Sequence, residues 1–248
     1  MVEHEQTDTR RVRRLARQAR RWQRTAGEVA RGEGTGRLLA RTSVVVRGAV
    51  YRYVVFIGID LTSSAPKLAP GPPIEMRLLR PEDVEAYARF RGRPVESVPA
   101  LRRLERGHLC VAAWLDGEIV SAIWYVLRSA WMDEIDRGLT LAPNELYAYD
   151  CYTTESRRGQ GIAPLRERWA MEYFRGQGYG RTVAWISPQN LPALRAGRKI
   201  GTDLGRAGFV RLGPLRRDFV QPSGGRRRWA ARNEPIVVER DFGVASDG

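Results

Sequence analysis

The sequence predicts a mixed α+β domain, on three observations. From Ile74 onward, short runs rich in β-branched and aromatic residues alternate with stretches of helical periodicity. Two of those runs, 108–115 and 118–127, flank Asp116-Gly117, a strong tight-turn pair. Pro66, Pro70, Pro72 and Pro73, set among Ser, Ala and Gly, separate this region from what precedes it. The chain therefore divides into an Arg-rich extension over 1–72, a main domain over 73–217 and a tail over 218–248.

Each element follows from local chemistry. Residues 8–31 read as a helix, because Val12, Leu15, Ala19, Trp22, Ala26 and Val29 recur at steps of three and four while arginines cover most of the rest. Gly32, Gly34 and Gly36 form a linker. Residues 42–46 and 49–59 read as a β-hairpin across Arg47-Gly48. In the main domain, 74–79 is a short strand, and Pro81 with Glu82 and Asp83 opens a helix. After the Asp-Gly hairpin comes a loop with a short helix over 129–144, then a strand over 145–153. A helix over 162–175 ends in glycines, a strand follows at 182–186, a helix at 190–200, and a final strand starts at 209–212. The tail reads as loose, with one strand at 235–238.

Composition narrows the function classes. The formal charge of +14 rests almost wholly on arginine, since Lys67 and Lys199 are the only lysines. The narrow apolar stripe of the first helix leaves three uses open: docking on the main domain, docking on a partner subunit as in a homodimer, or lying on nucleic acid or another anionic surface. Two cysteines, Cys110 and Cys151, in apolar strand-like runs suit buried, reduced thiols, and hence a cytoplasmic protein. With His4 and His108 the only histidines and no zinc-type spacing, no metal site is expected. The N-terminus has no signal-peptide core, and the longest apolar run is too short for a transmembrane segment.

The chemistry concentrates in Glu145 to Ala163, ELYAYDCYTTESRRGQGIA. A strand ends, a polar turn follows, and a glycine-containing loop opens a helix. The first amides of such a helix have no intrahelical acceptor and carry the positive end of its dipole, which makes an anion site. Gly159 and Gly161 let backbone approach a phosphate, Arg157 and Arg158 add charge, and Pro164 removes an N–H that would go unpaired. No Gly-Lys-Ser/Thr ending is present, so this is not a P-loop, and the three-glycine spacing of a dinucleotide-binding turn is absent as well.

The segment resembles the GNAT family of N-acetyltransferases. The family's loop reads Arg/Gln-x-x-Gly-x-Gly/Ala, here Arg158, Gly161 and Ala163. Its last helix carries Asn-x-x-Ala…Lys-x-Gly, here Asn190, Ala193, Lys199 and Gly201. The resemblance covers about residues 74–217. It implies a central, mostly antiparallel sheet of six to seven strands flanked by helices, to which this chain adds an N-terminal helix and β-hairpin.

The resemblance also implies the activity: transfer of an acyl group, acetyl in the first instance, from acetyl-CoA to a primary amine on a small molecule or peptide, by direct attack. The cofactor's diphosphate would rest on Arg158, Gly159, Gln160, Gly161, Ile162 and Ala163. Its pantetheine arm would pair with Cys151, Tyr152 and Thr153, and Asn190 would belong to the same site. Glu145 stands at the spacing of the general base in the histone-acetylating branch. Asp150 is its rival, placed on the opposite face by strand alternation. Tyr149, which would share a face with Glu145, Tyr147 and Cys151, is a candidate donor to the leaving thiolate. The acids Asp133, Glu134 and Asp136 in the 129–144 loop would attract a cationic amine. One departure stands out: the helix tyrosine that serves many members as acid is here Gly197. That departure and the Arg-rich first helix support an alternative, a catalytically weak GNAT-fold module that recruits nucleic acid or another anionic partner.

Overall fold

The structure, a computed structural model, describes residues 50–63, 73–92, 97–212 and 214–243. The expected helix over 8–31, the glycine linker and the strand over 42–46 lie outside the described residues.

In chain order, β1 is Tyr51–Asp60 and β2 is Glu75–Leu78. Helix α1 (Val84–Phe90) follows a short 3-10 turn at Pro81–Asp83, and α2 is Ser97–Glu105. Next come β3 (Leu109–Leu115), β4 (Glu118–Leu127), β5 (Ser129–Met132), β6 (Arg137–Thr140) and β7 (Glu145–Thr153). Helix α3 (Ile162–Gly176), β8 (Arg181–Ile186) and α4 (Leu191–Ile200) complete the central region. The chain then forms β9 (Thr202–Leu212), β10 (Leu215–Pro222), β11 (Arg228–Ala230), β12 (Ile236–Val237) and α5 (Val238–Phe242).

Nine strands make one sheet in the order β11-β10-β9-β1-β8-β7-β4-β3-β2, and β12-β6-β5 make a second. In the large sheet β7 and β8 run parallel, with a helical crossover between them, whereas β1–β8, β4–β7, β3–β4, β2–β3 and β9–β10 are antiparallel. Helices cover both faces. Leu61, Val111, Ile123, Tyr125, Leu146 and Ala148 pack on Ala170 and Phe174 of α3. On the opposite face, Cys110, Ala112 and Trp124 pack on Tyr87 of α1 and Ala100 of α2. In α3 the buried residues Ile162, Arg166, Ala170 and Phe174 recur every four positions, one stripe of a helix. Burying a side chain such as Phe174 contributes about 2 kcal/mol.

Three expectations change. The strand expected to close a hairpin within the extension is instead an interior strand of the main sheet: Val55–Asp60 pair with Ile186–Arg181 of β8. One compact unit spans Tyr53–Gly248. The 129–144 stretch is not a loop with a helix but a β-ribbon, β5–β6, joined in parallel by β12. The tail beyond 217 is not loose: Phe219, Val220, Ile236, Val238 and Phe242 are buried, and the Phe242 ring lies 4.9 Å from that of Phe56.

Candidate active site

The loop between β7 and α3 is built as an anion cradle. After a 3-10 turn at Glu155–Arg157, the chain passes through Gly159 and Gly161, both left-handed at φ 79° and 76°. An L side chain is strained there, so glycine is the residue that makes the turn. A Cβ added to either glycine would meet nothing within 4 Å, so their outer sides face open space. Gly161 is the N-cap of α3, and no side chain caps it. The amides of Ile162 and Ala163 precede the first intrahelical acceptor and are left for an outside one, with the helix dipole behind them. The head of α3 is held firmly, because Ile162 is buried against Ala113 and Val120. Arg158 and Gln160 are exposed beside it; Arg158 donates from Nε to the Thr153 carbonyl at 3.2 Å.

A splayed strand pair leads up to this loop. The parallel pairing of β7 with β8 ends at Ala148↔Ala184. Beyond it, β7 still pairs with β4 through Trp124↔Tyr149, Ala122↔Tyr152 and Ser121↔Thr153, while β8 continues with β1 through Trp185 and Ile186. The β8-facing edge of Tyr149–Thr153 is thus unpaired in the sheet, with backbone donors and acceptors ready for an extended ligand.

The register shift between Ala122 and Trp124 is a β-bulge, which sets Asp150 and Cys151 opposite Ile123 alone. Asp150 sits at φ 50°, a conformation that Asp tolerates better than most residues. The bulge overturns the expected alternation. Asp150 turns to the face of α1 and α2, where Arg103 donates to it at 2.6 Å and Arg91 lies 3.1 Å away. Cys151 turns to α3 and is exposed rather than buried; Nη2 of Arg166 lies 3.0 Å from its sulfur. Arg166 itself is fully buried and also bonds Ser121 Oγ and the Ala122 carbonyl, tying α3 to β4 beneath the loop.

The structure separates the three expected catalytic residues. Glu145 stands at the opposite end of β7 from the loop, roughly 25 Å away along the strand. It is buried, its Oε1 accepts from Arg181 and its Oε2 accepts the Ala142 amide at 2.8 Å. Asp150 is likewise committed, to two arginines. Tyr149 is the one placed at the splay, as the first β7 residue past the last β8 pair. Its hydroxyl lies 2.5 Å from Nδ1 of His108, and its ring stacks on Tyr147 at 5.8 Å. Burial pushes the Tyr149 hydroxyl above the ordinary tyrosine range, so it keeps its proton. Burial first, then Arg103 and Arg106, hold His108 below the ordinary histidine range, so its ring is neutral at neutral pH. Sequence reasoning gave His108 no catalytic role. The pair forms because Cys110, Trp124 and Tyr149 stand in one cross-strand row.

Asn190 caps α4, its Oδ1 accepting the Ala193 amide at 3.3 Å. At Gly197, a Cβ would come within 3.0 Å of Ile186 and 3.5 Å of Ile57. At Gly201 it would come within 2.5 Å of the Gly58 carbonyl. Helix α4 thus lies so close to β1 and β8 that Gly197 points at the sheet. Of the ribbon acids, Asp136 is ion-paired with Arg216 of β10 at 2.9 Å rather than awaiting a cationic amine.

Residues 76–201, just over half of the chain, match the sequence model of the acetyltransferase (GNAT) family. The chain belongs to the GNAT acetyltransferase family. A search of curated proteins found no match. Among solved structures, a functionally unknown conserved protein from Staphylococcus epidermidis ATCC 12228 is similar at 11% identity and a TM-score of 0.44, over 70% of this chain and 66% of that one. The aminoglycoside N-acetyltransferase AAC(6')-Iy, solved in complex with CoA, is similar at 15% identity and a TM-score of 0.40, over 52% and 91%. A ribosomal-protein-alanine N-acetyltransferase from Brucella melitensis biovar Abortus 2308 is similar at 18% and 0.36, over 51% and 86%.

Proposed function

We propose that this protein is an acyl-CoA-dependent N-acyltransferase that moves acetyl from acetyl-CoA to a primary amine by direct attack. The observation that carries the reading is the junction of two features: β7 loses its parallel partner after Ala148, and six and eight residues beyond its end two left-handed glycines open α3 with unpaired amides. That junction offers an extended edge for an amide-bearing arm and a cradle for a diphosphate. The residues fit the group, since the space in front of Gly159 and Gly161 is space that any side chain would fill.

Acetyl-CoA supplies the acetyl group as an activated thioester. The amides of residues 159–163 hold the diphosphate, with Arg158 beside them. The open edge of Cys151, Tyr152 and Thr153 pairs with the pantetheine arm, and a backbone N–H of that edge polarises the thioester carbonyl. The Tyr149–His108 pair takes a proton from the attacking nitrogen and returns one to the departing sulfur. With Nδ1–H donating to the Tyr149 oxygen, neutral His108 keeps Nε2 as the acceptor for the first step, and Tyr149 has a retained proton for the second. Glu145 and Asp150 hold the scaffold. Thiol release on mixing acetyl-CoA with a panel of small-molecule and peptide amines tests the proposal; no release with any amine, from protein shown to bind CoA, counts for the binding-module alternative.

A further inference from the structure

We propose that the β9–β10–β11 end of the sheet docks the protein on a bilayer that carries anionic headgroups. Three of the exposed large apolar side chains of the described residues gather there: Leu212 at 66% exposure, Leu215 at 72% and Trp229 at 50%. The strand register explains why they meet. Leu212 opposes Leu215, Val210 opposes Arg217, and Trp229 opposes Phe219, so all of them share one face. The other face of the same strands sends Ala207, Phe209 and Val220 into the core. What remains outside is a shallow groove of about 360 Å³ lined by Val210, Leu212, Leu215, Arg216, Arg217 and Trp229.

Charge selects the occupant. Residues 205–232 contain eight arginines and a single acid, Asp218, which is buried. Two of those arginines are bound inward, Arg216 to Asp136 and Asp218, and Arg228 to Glu234 and Asp241. Arg211, Arg217, Arg226 and Arg227 are exposed around the apolar tip, and the Arg227 guanidinium lies 5.6 Å from the Trp229 ring centroid. A second copy of this face would set arginines against arginines, which is repulsive. A nucleic acid would use the cations but gain nothing from two exposed leucines. An anionic bilayer uses everything present: aliphatic tips enter the acyl boundary, tryptophan sits at the headgroup level, and arginines meet lipid phosphates. The docking does not depend on the enzymatic reading.

Flotation of the full chain with vesicles is the test. Phosphatidylcholine vesicles containing phosphatidylglycerol should carry the protein upward, with binding weakened by salt; pure phosphatidylcholine vesicles should not. The double variant Leu212→Ser/Leu215→Ser and the triple variant Arg217→Glu/Arg226→Glu/Arg227→Glu alter exposed side chains only. Each should keep its circular dichroism spectrum, and the triple variant should lose about a hundredfold or more in vesicle affinity. Wild-type binding that survives both variants would move the site elsewhere, for instance to the arginines of residues 10–24. Absence of vesicle binding, or retention of duplex DNA in preference to vesicles with loss in the triple variant alone, overturns the proposal.

Discussion

The Tyr149 hydroxyl lies 2.5 Å from Nδ1 of His108, at the point where β7 parts from β8. Neither residue is held there by a short local motif. The contact spans 41 positions and depends on β3, β4 and β7 lying side by side, with the bulge falling just after Tyr149 rather than before it.

Removing either half of this pair should slow the chemical step. Tyr149→Phe and His108→Gln are each expected to lower kcat about a hundredfold while leaving the affinity for acetyl-CoA unchanged. The double variant should be little worse than either single one, because the two act as a unit. Steady-state kinetics with any competent amine checks this, and an unaffected Tyr149→Phe rate removes the relay.

The pair also sets a pH dependence. His108 in the folded protein is held below its unfolded value, so acid must protonate the unfolded chain before the native one. Between the two values the unfolded state binds more protons, and stability falls as pH drops through about 6.5 toward the lower native value; above that window the effect is absent. The rate should fall over the same lower range as the ring becomes charged. Urea unfolding and kcat/KM at about pH 7.5 and about pH 5.5 should both show the loss in the wild type, and less of it in His108→Gln.

Glu145 should matter for stability rather than for rate. Glu145→Ala leaves Arg181 without its carboxylate and the Ala142 amide without its acceptor. Breaking a buried pair of this kind costs about 3 kcal/mol, or roughly 10 °C in Tm for a unit of this size. Calorimetry beside kinetics distinguishes the roles: a full Tm with a rate lost by orders of magnitude would restore Glu145 as the base.

Asp150→Asn tests the rival. Asparagine accepts the left-handed backbone at this position, so the bulge persists. The loss of charge against Arg91 and Arg103 should cost about 1 kcal/mol of stability and less than tenfold in kcat. A collapse in rate with an intact fold would make this carboxylate the base after all.

The shape of the β7–α3 loop was legible in the sequence because everything it needs is local: a strand end, two glycines, and the head of a helix within nine residues. The Asp116-Gly117 hairpin was legible for the same reason. What escaped was non-local or irregular. Alternation along 145–153 assigns faces only for a regular strand, and one bulged residue sent Asp150 and Cys151 to faces opposite to those expected. The Val55–Asp60 pairing with β8 joins segments more than 120 residues apart, which no local pattern signals. In the tail, arginine-rich composition masked the irregularly spaced Val220, Ile236, Val238 and Phe242, whose burial depends on β1 and the β5–β6 ribbon being in place. His108 gave no signal of its own, since its role comes from a neighbour on another strand.

The most direct measurement is the titration of CoA into the wild-type chain and into Gly161→Glu, beside their circular dichroism spectra. The side chain would enter the open space before the helix head, with a charge that repels diphosphate. The left-handed backbone adds a strain of about 1–2 kcal/mol, tolerable for a folded domain. The expected result is a folded variant that binds CoA at least a hundredfold more weakly than the wild type, about 2.7 kcal/mol. Equal affinity in the two proteins, or no CoA binding by the wild type, would contradict the account.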